Sequence, residues 1–592
     1  PYRRQRQMCI RDRLIAITVC SFSSCTDLDE TVYSSVMSDN YYRTKQDIIN
    51  AVFRPFEGIY STVSQANWSE ECCADQLITP SRGTWWVDGG VWAKFHRHQY
   101  DDLVEARWNQ EWNSIYLTIA QANVILDDLN RLSPDHFGIT GEEWDGFKGQ
   151  LRCIRAYQYL RLLNAYRYVV LCTSSDQAIN KLPENQKQVE PKVLFNFIEK
   201  ELTDCLSILP IKNGQSGNGI QQGQCTKAFA AGLLVRLYLN AEKWIGEAKW
   251  STCEEMCARI TKGDFGHYAV AQNWYEAFDW NNDTSNEVIF AFPSSYGMNH
   301  WHMLQNHRTV YGRSMPYGSA NYLDIEGDGE RNPQFALSPS YDNQNPPQLF
   351  TYELGMVTQK FLKYPGDVRY KQYKNTSNKS REGMFFLEGR IPNARMNGGY
   401  AYDPFNQYVI YLRDQVGRFE GKAPEGIISN PNYAESKYEN GDFNSGLYCV
   451  KYPFYSFSGG YFAEPDYTIM RLPEIIYSQA ECLIRLNRAD EAGKLLNSVR
   501  KRNYENFNVD IAYKPEGNVE LDLKEMLDEW GREFLNETRR RTDLIRFGRF
   551  QEEWWDKPRD KDDHYELFPI PQKVLEQNKY LKQNPGYPDI IR

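Results

Sequence analysis

The 592-residue sequence lacks any apolar run close to the roughly 20 residues that a membrane-spanning helix needs. It also lacks a basic excess: 68 Lys and Arg stand against 78 Asp and Glu, a net charge of −10. A broad phosphate-binding face, and with it a nucleic-acid partner, is therefore excluded. The 39 Gly and 27 Pro are too few for a low-complexity chain. H-E-x-x-H, G-x-S-x-G and a P-loop are all missing, so no catalytic residue, metal site or cofactor is expected. Among 13 Cys there is no C-x-x-C pair: Cys72 and Cys73 are adjacent, and Cys253 and Cys257 lie one helical turn apart. Cys153, Cys253, Cys257 and Cys482 sit in helix-patterned segments and read as small buried hydrophobes; spacing selects no disulfide. What the chain has in abundance is aromatic: 40 Tyr, 29 Phe and 15 Trp, more than a core alone calls for.

The first 24 residues read as a leader whose start need not be native. Five Arg in residues 1–13 precede the apolar run Leu14 to Cys20, and small residues follow before Cys25. Ser23-Ser24-Cys25 resembles a bacterial lipobox, with Phe22 in place of the usual Leu, which makes Cys25 the expected lipidation site. Residues 25–40 then read as a lipidated tether, with the acidic Thr26-Asp-Leu-Asp-Glu30 resembling a surface-export signal. Without the leader, 63 basic residues face 77 acidic ones, a net −14.

Helical periodicity dominates both ends of the remainder. It predicts helices from Trp112 to near Leu132, from Phe147 through Leu163, over Val193–Leu209 before Pro210, over Thr226–Leu239, and from Cys253 to a stop at Gly263. Further helices are expected at Arg471–Leu486, Ala489–Arg502 and from about Leu521 to Asn536. Paired helices with short connections suggest tetratricopeptide-like hairpins, although the strict 34-residue consensus is absent. Between Trp274 and Pro465 the period is lost, Gly, Pro, Asn and Asp become frequent, and only short β-like pieces appear, such as Glu287–Phe292 and Tyr408–Leu412. Loops of this length are uncommon unless they serve a function. The expected class is mainly α, with one domain over 41–592: a helical scaffold at about 41–270 and 468–550 around a loop-rich, β-poor insert at about 271–467.

Several motifs resemble the SusD/RagB family. They are Arg471-Leu-Pro-Glu-Ile-Ile with Ala480-Glu481, Ala492 to Arg502, Arg532-Glu533 with Glu537, and Arg540-Arg-Thr-Asp543-Leu-Ile-Arg546-Phe-Gly548. The closing segment Pro569-Ile-Pro571 through Gln583-Asn-Pro-Gly-Tyr587 and the N-terminal Trp112-Asn-Ser-Ile-Tyr116, Ala122-Asn123 and Arg155-Ala-Tyr157 agree. Trp530 departs from the Glu-Arg pair usual after Glu529, which implies a packing adjustment. The resemblance implies a SusD-like fold and an outer-membrane, surface-exposed lipoprotein. Such a protein captures glycans, occasionally peptides, and hands them to a SusC-like TonB-dependent transporter without hydrolysing them. A peptide-binding RagB-like protein and a secreted glycosidase are the alternatives; the carboxylate pair of the latter, about 5–10 Å apart, cannot be seen in sequence.

Asp543, with Arg540, Arg541 and Arg546 nearby, suits carboxylate–guanidinium pairing that holds the fold. Ligand candidates lie in loops. Asp75 to Trp92 places Trp85, Trp86 and Trp92 with Asp75, Arg82 and Asp88 among Gly and Pro that cannot sustain a helix. Flat aromatics bury the C–H face of a sugar while fixed polar groups meet its hydroxyls. In the resembling family this loop contributes to the glycan site. A second set of contacts is expected at Tyr296, Trp301, Tyr311 and Tyr317. Trp274, Tyr275 and Trp280 are expected in the core, and Trp554-Trp555 in an exposed patch. The pairs His96/His98 and His300/His302 read as packing or surface residues, and the oxygen-rich Asp324–Glu330 as a solvated turn that fails calcium-loop spacing.

Overall fold

The computed structural model describes residues 41–180, 182–212, 223–279, 281–293, 334–377, 380–393, 399–400, 402–403, 408–420, 428–429, 435–452 and 465–589. The leader, Cys25, the tether, Trp280, Tyr296, Trp301, Tyr311, Tyr317, His300, His302 and the acidic stretch 324–330 lie outside them.

Helices follow the periodicity. They are α1 (Lys45–Ala66), α2 (Val91–His96), α3 (Asp102–Arg131), α4 (Gly141–Tyr166), α5 (Ser175–Ile179), α6 (Pro191–Ile208), α7 (Lys227–Leu239), α8 (Ala241–Ile245), α9 (Trp250–Lys262), α10 (Val357–Leu362), α11 (Leu472–Arg485), α12 (Ala489–Arg500), α13 (Leu523–Glu533), α14 (Arg540–Arg546) and α15 (Gln572–Gln577). Local chemistry sets their ends. Thr140 and Thr226 cap α4 and α7 by accepting from the backbone N–H of Glu143 and Phe229, both at 3.2 Å. Pro opens the first turn of α6 and α11, and Gly263, at φ +95°, ends α9 in the left-handed region. The order of packing is α1 on α3, α3 on α4, α4 on α6, α6 on α7, α7 on α9, α9 on α11 and α11 on α12. Each helix shares its apolar stripe with a neighbour in sequence, as a run of hairpins requires. The described part is mainly α, as expected.

Strands are short. Ten are named here: β1 (Leu77–Ile78), β2 (Val288–Phe292), β3 (Ala336–Leu337), β4 (Gly389–Arg390), β5 (Pro392–Asn393), β6 (Gly399–Tyr400), β7 (Tyr402–Asp403), β8 (Tyr408–Val409), β9 (Tyr411–Leu412) and β10 (Tyr467–Arg471). The pair β2–β10 closes the insert: antiparallel register places Tyr467 opposite Phe292 and Arg471 opposite Val288. The apolar strand β2 is buried throughout, and Phe290 stacks on Phe229 of α7 at 4.0 Å.

At the foot of that strand pair lies a buried ionic frame. Arg471 reaches Glu287 at 3.2 Å, Glu533 at 2.7 Å and Glu537 at 2.9 Å. Glu533 also receives Arg502 at 3.0 Å and Arg369 at 2.9 Å. Arg532 pairs with Glu529 at 2.6 Å and with Glu525. Asp543 accepts from Arg539 at 2.9 Å and Arg546 at 2.8 Å. The pairing differs from the sequence expectation: Arg540 turns to Asp75 and Arg541 to the Glu566 carbonyl. Trp530 is fully buried and donates to Glu481 at 2.8 Å, with the Arg539 guanidinium 3.8 Å from its ring centre. The indole is therefore accommodated by packing, as expected. Trp554 and Trp555 are buried, not exposed: they surround His96 and His98, and the Trp555 indole donates to Ser436 at 2.9 Å. Trp274 is in the core and Tyr275 packs against it. All ten described cysteines are free thiols.

After α1 the chain widens into a π-helix, Asn67–Cys72, which turns Glu70 and Glu71 inward. Burial pushes the Glu71 carboxyl up to about 8. The frame carboxylates behave oppositely: burial opposes their ionisation, but adjacent guanidiniums outweigh it, bringing Glu525 down to about 2 and Glu533 lower still.

Glu533→Gln leaves three guanidiniums short of their shared carboxylate and is expected to cost about 3–5 kcal/mol in denaturant unfolding, whereas removing the exposed, solvent-screened Lys514–Glu520 pair should leave the unfolding midpoint nearly unchanged. For pH, the unfolded glutamate titrates near about 4.3. A carboxyl depressed in the fold stabilises fully above that value and loses its contribution as pH falls toward 2, so melting temperature should drop steeply below pH 4. Glu71 has the opposite sign, because the fold holds a proton that the unfolded chain releases, and its stabilisation is lost as pH rises through 8. Glu71→Gln should flatten the decline in melting temperature between pH 5 and 8; an unaltered slope would contradict the assignment.

Candidate functional site

The aromatic loop expected to meet ligand runs from β1 to α2. Its course is fixed by backbone chemistry. Arg82 and Trp85 exchange backbone hydrogen bonds at 3.0 and 3.1 Å around Gly83, φ +64°. Trp86 and Asp88, neither of them glycine, are held at φ +59° and +36°, and Gly89 and Gly90 at +66° and +87°. Non-glycine residues in this region cost of order 1–3 kcal/mol each and persist only where surroundings enforce them, commonly at ligand sites.

Segment 436–448 lies beneath the loop. Tyr438 accepts from Ser81 N–H through its carbonyl at 2.9 Å and from Thr79 N–H through its phenol oxygen at 3.2 Å. Arg82 is fully buried; its guanidinium donates to the carbonyls of Asp442 at 3.1 Å and Ser445 at 3.0 Å and lies over the Tyr448 ring. The approach is close enough that a Cβ on Gly441 would come within 2.5 Å of the Ser81 carbonyl oxygen. The Asp442 carboxylate organises this turn by accepting from Phe419 N–H at 3.0 Å, Asn444 N–H at 2.9 Å and the Ser445 hydroxyl at 3.0 Å. Burial, only partly offset by those donors, pushes its carboxyl up to about 6.

Three of the six residues proposed from sequence in this loop are consequently spent inside. Asp75 is fully buried, taking Arg540 at 2.6 and 2.9 Å and Gly355 N–H at 2.7 Å. Burial opposes its charge, and Arg540 outweighs burial, holding it well below the usual carboxylate range. Arg82 ties down the floor. Trp92, 3% exposed, donates to Asp88 at 2.8 Å and props the edge of Trp86 at 6.2 Å, with Arg107 over its own face. Asp75, Arg82 and Trp92 are thus corrected from ligand contacts to supports: a Gly- and Pro-rich segment reads as exposed whatever lies beneath it. What the loop presents outward is Trp85 and Trp86, both half-buried, with Asp88 and Val87 exposed beside them. The sequence reading missed the floor residues Tyr438, Asp442 and Ser445; the Gly-Asp-Phe-Asn-Ser-Gly turn at 441–446 was the available signal.

The histidine pair beneath is packing, as expected. His98 uses both ring nitrogens, on Asp560 at 2.7 Å and on the Cys73 carbonyl at 3.0 Å, and burial brings it down to about 4. His96 meets the Trp555 carbonyl at 2.6 Å and is brought by burial to about 3. Among the described residues no group of three or more His, Cys, Asp or Glu could hold a metal ion. A cavity of about 120 Å³ lies in the scaffold, between α4, α7 and β10, and its Arg and Glu walls are paired with each other, as in Arg161–Glu111 and Arg236–Glu474. Chemically, the outward loop offers two indole faces, a carboxylate acceptor and no activated nucleophile.

Comparison with known proteins places this geometry. Residues 248–587 match the SusD family, and residues 28–239 match a second family described as starch-binding associating with outer membrane. The chain is 24% identical over 529 residues to the starch-binding protein SusD of Bacteroides thetaiotaomicron, covering 85% of this chain and 84% of that one. Its fold is similar to a SusD homolog from Bacteroides thetaiotaomicron, with TM-score 0.63, 18% identity, and 93% and 98% of the two chains covered. It is also similar to surface glycan-binding protein A from Bacteroides fluxus, with TM-score 0.60, 16% identity, and 92% and 100% covered. With more than half of its length matched by the family, this chain belongs to the SusD family.

Proposed function

We propose that the chain is a cell-surface glycan-binding protein that captures a polysaccharide or oligosaccharide and delivers it to a SusC-like TonB-dependent transporter. Lipid on Cys25 holds it at the outer membrane, and it acts by binding, without chemistry on the glycan. The observation that carries this reading is the pair of half-exposed indoles, Trp85 and Trp86, fixed beside Asp88 on a loop pinned through Asp75, Arg82 and Trp92. A rigid aromatic face stacks on a sugar ring at little conformational cost, and an adjacent carboxylate accepts from its hydroxyls. Relatives named as starch-binding and as surface glycan-binding support the ligand class. Tyr296, Trp301, Tyr311 and Tyr317 are the further contacts that this reading carries.

The test is a binding screen of the purified chain against polysaccharides and peptide mixtures. At least one glycan should be retained, and the Trp85→Ala/Trp86→Ala double variant should lose at least about 30-fold in affinity, about 2 kcal/mol, with its melting temperature within a few degrees of wild type. Retention of peptides alone would favour a peptide-uptake protein. Reducing sugar released by the pure chain would favour a glycosidase, and retention undiminished in the double variant would remove the loop from the site.

A further inference from the structure

The insert carries a second aromatic face. Its segments 389–393, 399–403 and 408–412 each pair with the other two: β4 with β9, β5 with β6, and β7 with β8, all antiparallel. Tyr411 is directly opposite Arg390, and Tyr400 opposite Pro392. Opposed residues share a face, as do residues two apart along a strand. Arg390, Tyr400, Tyr411 and Arg413 therefore project on one side, while Ile391, Ile410 and Leu412 are buried on the other. On the outer side Tyr400 and Arg390 are exposed, and Tyr411 and Arg413 are half-buried. The Arg390 guanidinium lies 5.2 Å from the Tyr400 ring centre; that of Arg413 lies 4.4 Å from Phe419 and 5.5 Å from Tyr411.

These two arginines differ from those of the scaffold. Arg471, Arg532 and Arg546 each meet two or three buried acceptors, whereas neither Arg390 nor Arg413 has an ion-pair partner among the described residues. The Arg413 Nε is buried with no hydrogen-bond partner. Glu388 and Asp442 are the carboxylates whose charge bears on Arg413, and neither forms an ion pair with it. An exposed guanidinium over a ring and without an ion-pair partner, as Arg390 is on Tyr400, can turn its N–H edge to an oxyanion and donate two parallel hydrogen bonds. The ribbon is also coupled to the tryptophan loop. Tyr411 N–H donates to the Asn444 side chain at 2.9 Å and Arg413 N–H to the Asn444 carbonyl at 3.0 Å, within the turn whose Asp442 and Ser445 carbonyls hold Arg82.

Resting on the glycan-binding reading, we propose that the face formed by Arg390, Tyr400, Tyr411 and Arg413 is a subsite for an acidic group on the glycan, a sugar-borne carboxylate or sulfate. The tyrosines take the ring face and the guanidiniums take the oxyanion.

The experiment compares the purified full chain with the exposed-site variants R390A, R390K and Y400A. Each is titrated with matched glycans that are neutral, carry uronic acids, or carry sulfate, at two salt concentrations. R390A is expected to bind the acidic glycan at least tenfold more weakly, with a reduced salt dependence. R390K should fall between R390A and wild type, and affinity for a retained neutral glycan should stay within twofold. The carboxylated and sulfated arms identify which oxyanion is read. Acidic glycans bound no better than neutral ones, or R390A indistinguishable from wild type while glycans are still retained, would overturn the subsite alone. Retention of no glycan by the wild-type chain would overturn the glycan-binding reading and this subsite with it.

Discussion

Glu533 is 3% exposed at a point where four parts of the chain meet. Its oxygens take hydrogen bonds from Arg369 of the insert, from Arg471 at the end of β10, and from Arg502 and Asn503 after α12. Burying any one of these charges alone costs several kcal/mol, which only well-placed partners return. No segment can therefore bring its charge inside without the others, and the insert and the C-terminal helices must arrive together. The arrangement specifies geometry more than it adds net stability. A cluster of apolar residues could fill the same volume, but it would not demand that Arg369 sit against Asp367 and Glu533 and nowhere else.

The same frame aims the binding loop. Arg540 of α14, one turn from the Asp543 pairings, fixes Asp75 where the loop begins. Arg82 then fixes its middle to the 442–445 turn, and the Trp92–Asp88 hydrogen bond fixes its end. With those groups engaged, left-handed backbone at Trp86 and Asp88 is enforced rather than chosen, and the indoles of Trp85 and Trp86 rest half-buried against the edge of the core. Rigidity at the loop is thus a consequence of charge pairing some distance away. It is also what makes an aromatic surface useful to a weakly distinguished, repetitive ligand, because little ordering is left to be done on binding.

The helices were legible in sequence because their signals are local. Val193–Leu209 was expected and Pro191–Ile208 is found; Thr226–Leu239 was expected and Lys227–Leu239 is found, with Thr226 as the cap. Periodicity, a Pro and a capping threonine are all read within a few residues. Partner choice was not legible. Asp543 was expected with Arg540, Arg541 and Arg546; Arg546 is there, but Arg540 belongs to Asp75, 465 residues away, and the other partner of Asp543 is Arg539, one helical turn before it. The candidate loop was found because Trp, Gly and Pro together mark an exposed aromatic turn. Which of its residues face outward depends on Tyr438 and Asp442, some 350 residues on, and no local pattern carries that. Of the ribbon around Arg390 only the β-like piece Tyr408–Leu412 was legible; the segments it pairs with were not, because strands of two residues have no period to read.

The most direct measurement is a crystal structure of the chain with the glycan it retains. The account predicts a sugar ring stacked on Trp85 or Trp86, Asp88 within hydrogen-bond distance of a hydroxyl, and Asp75 and Arg82 still engaged with Arg540 and the 442–445 turn. A glycan bound elsewhere with both indoles bare, or one reached only after Arg82 releases its carbonyls, would contradict it.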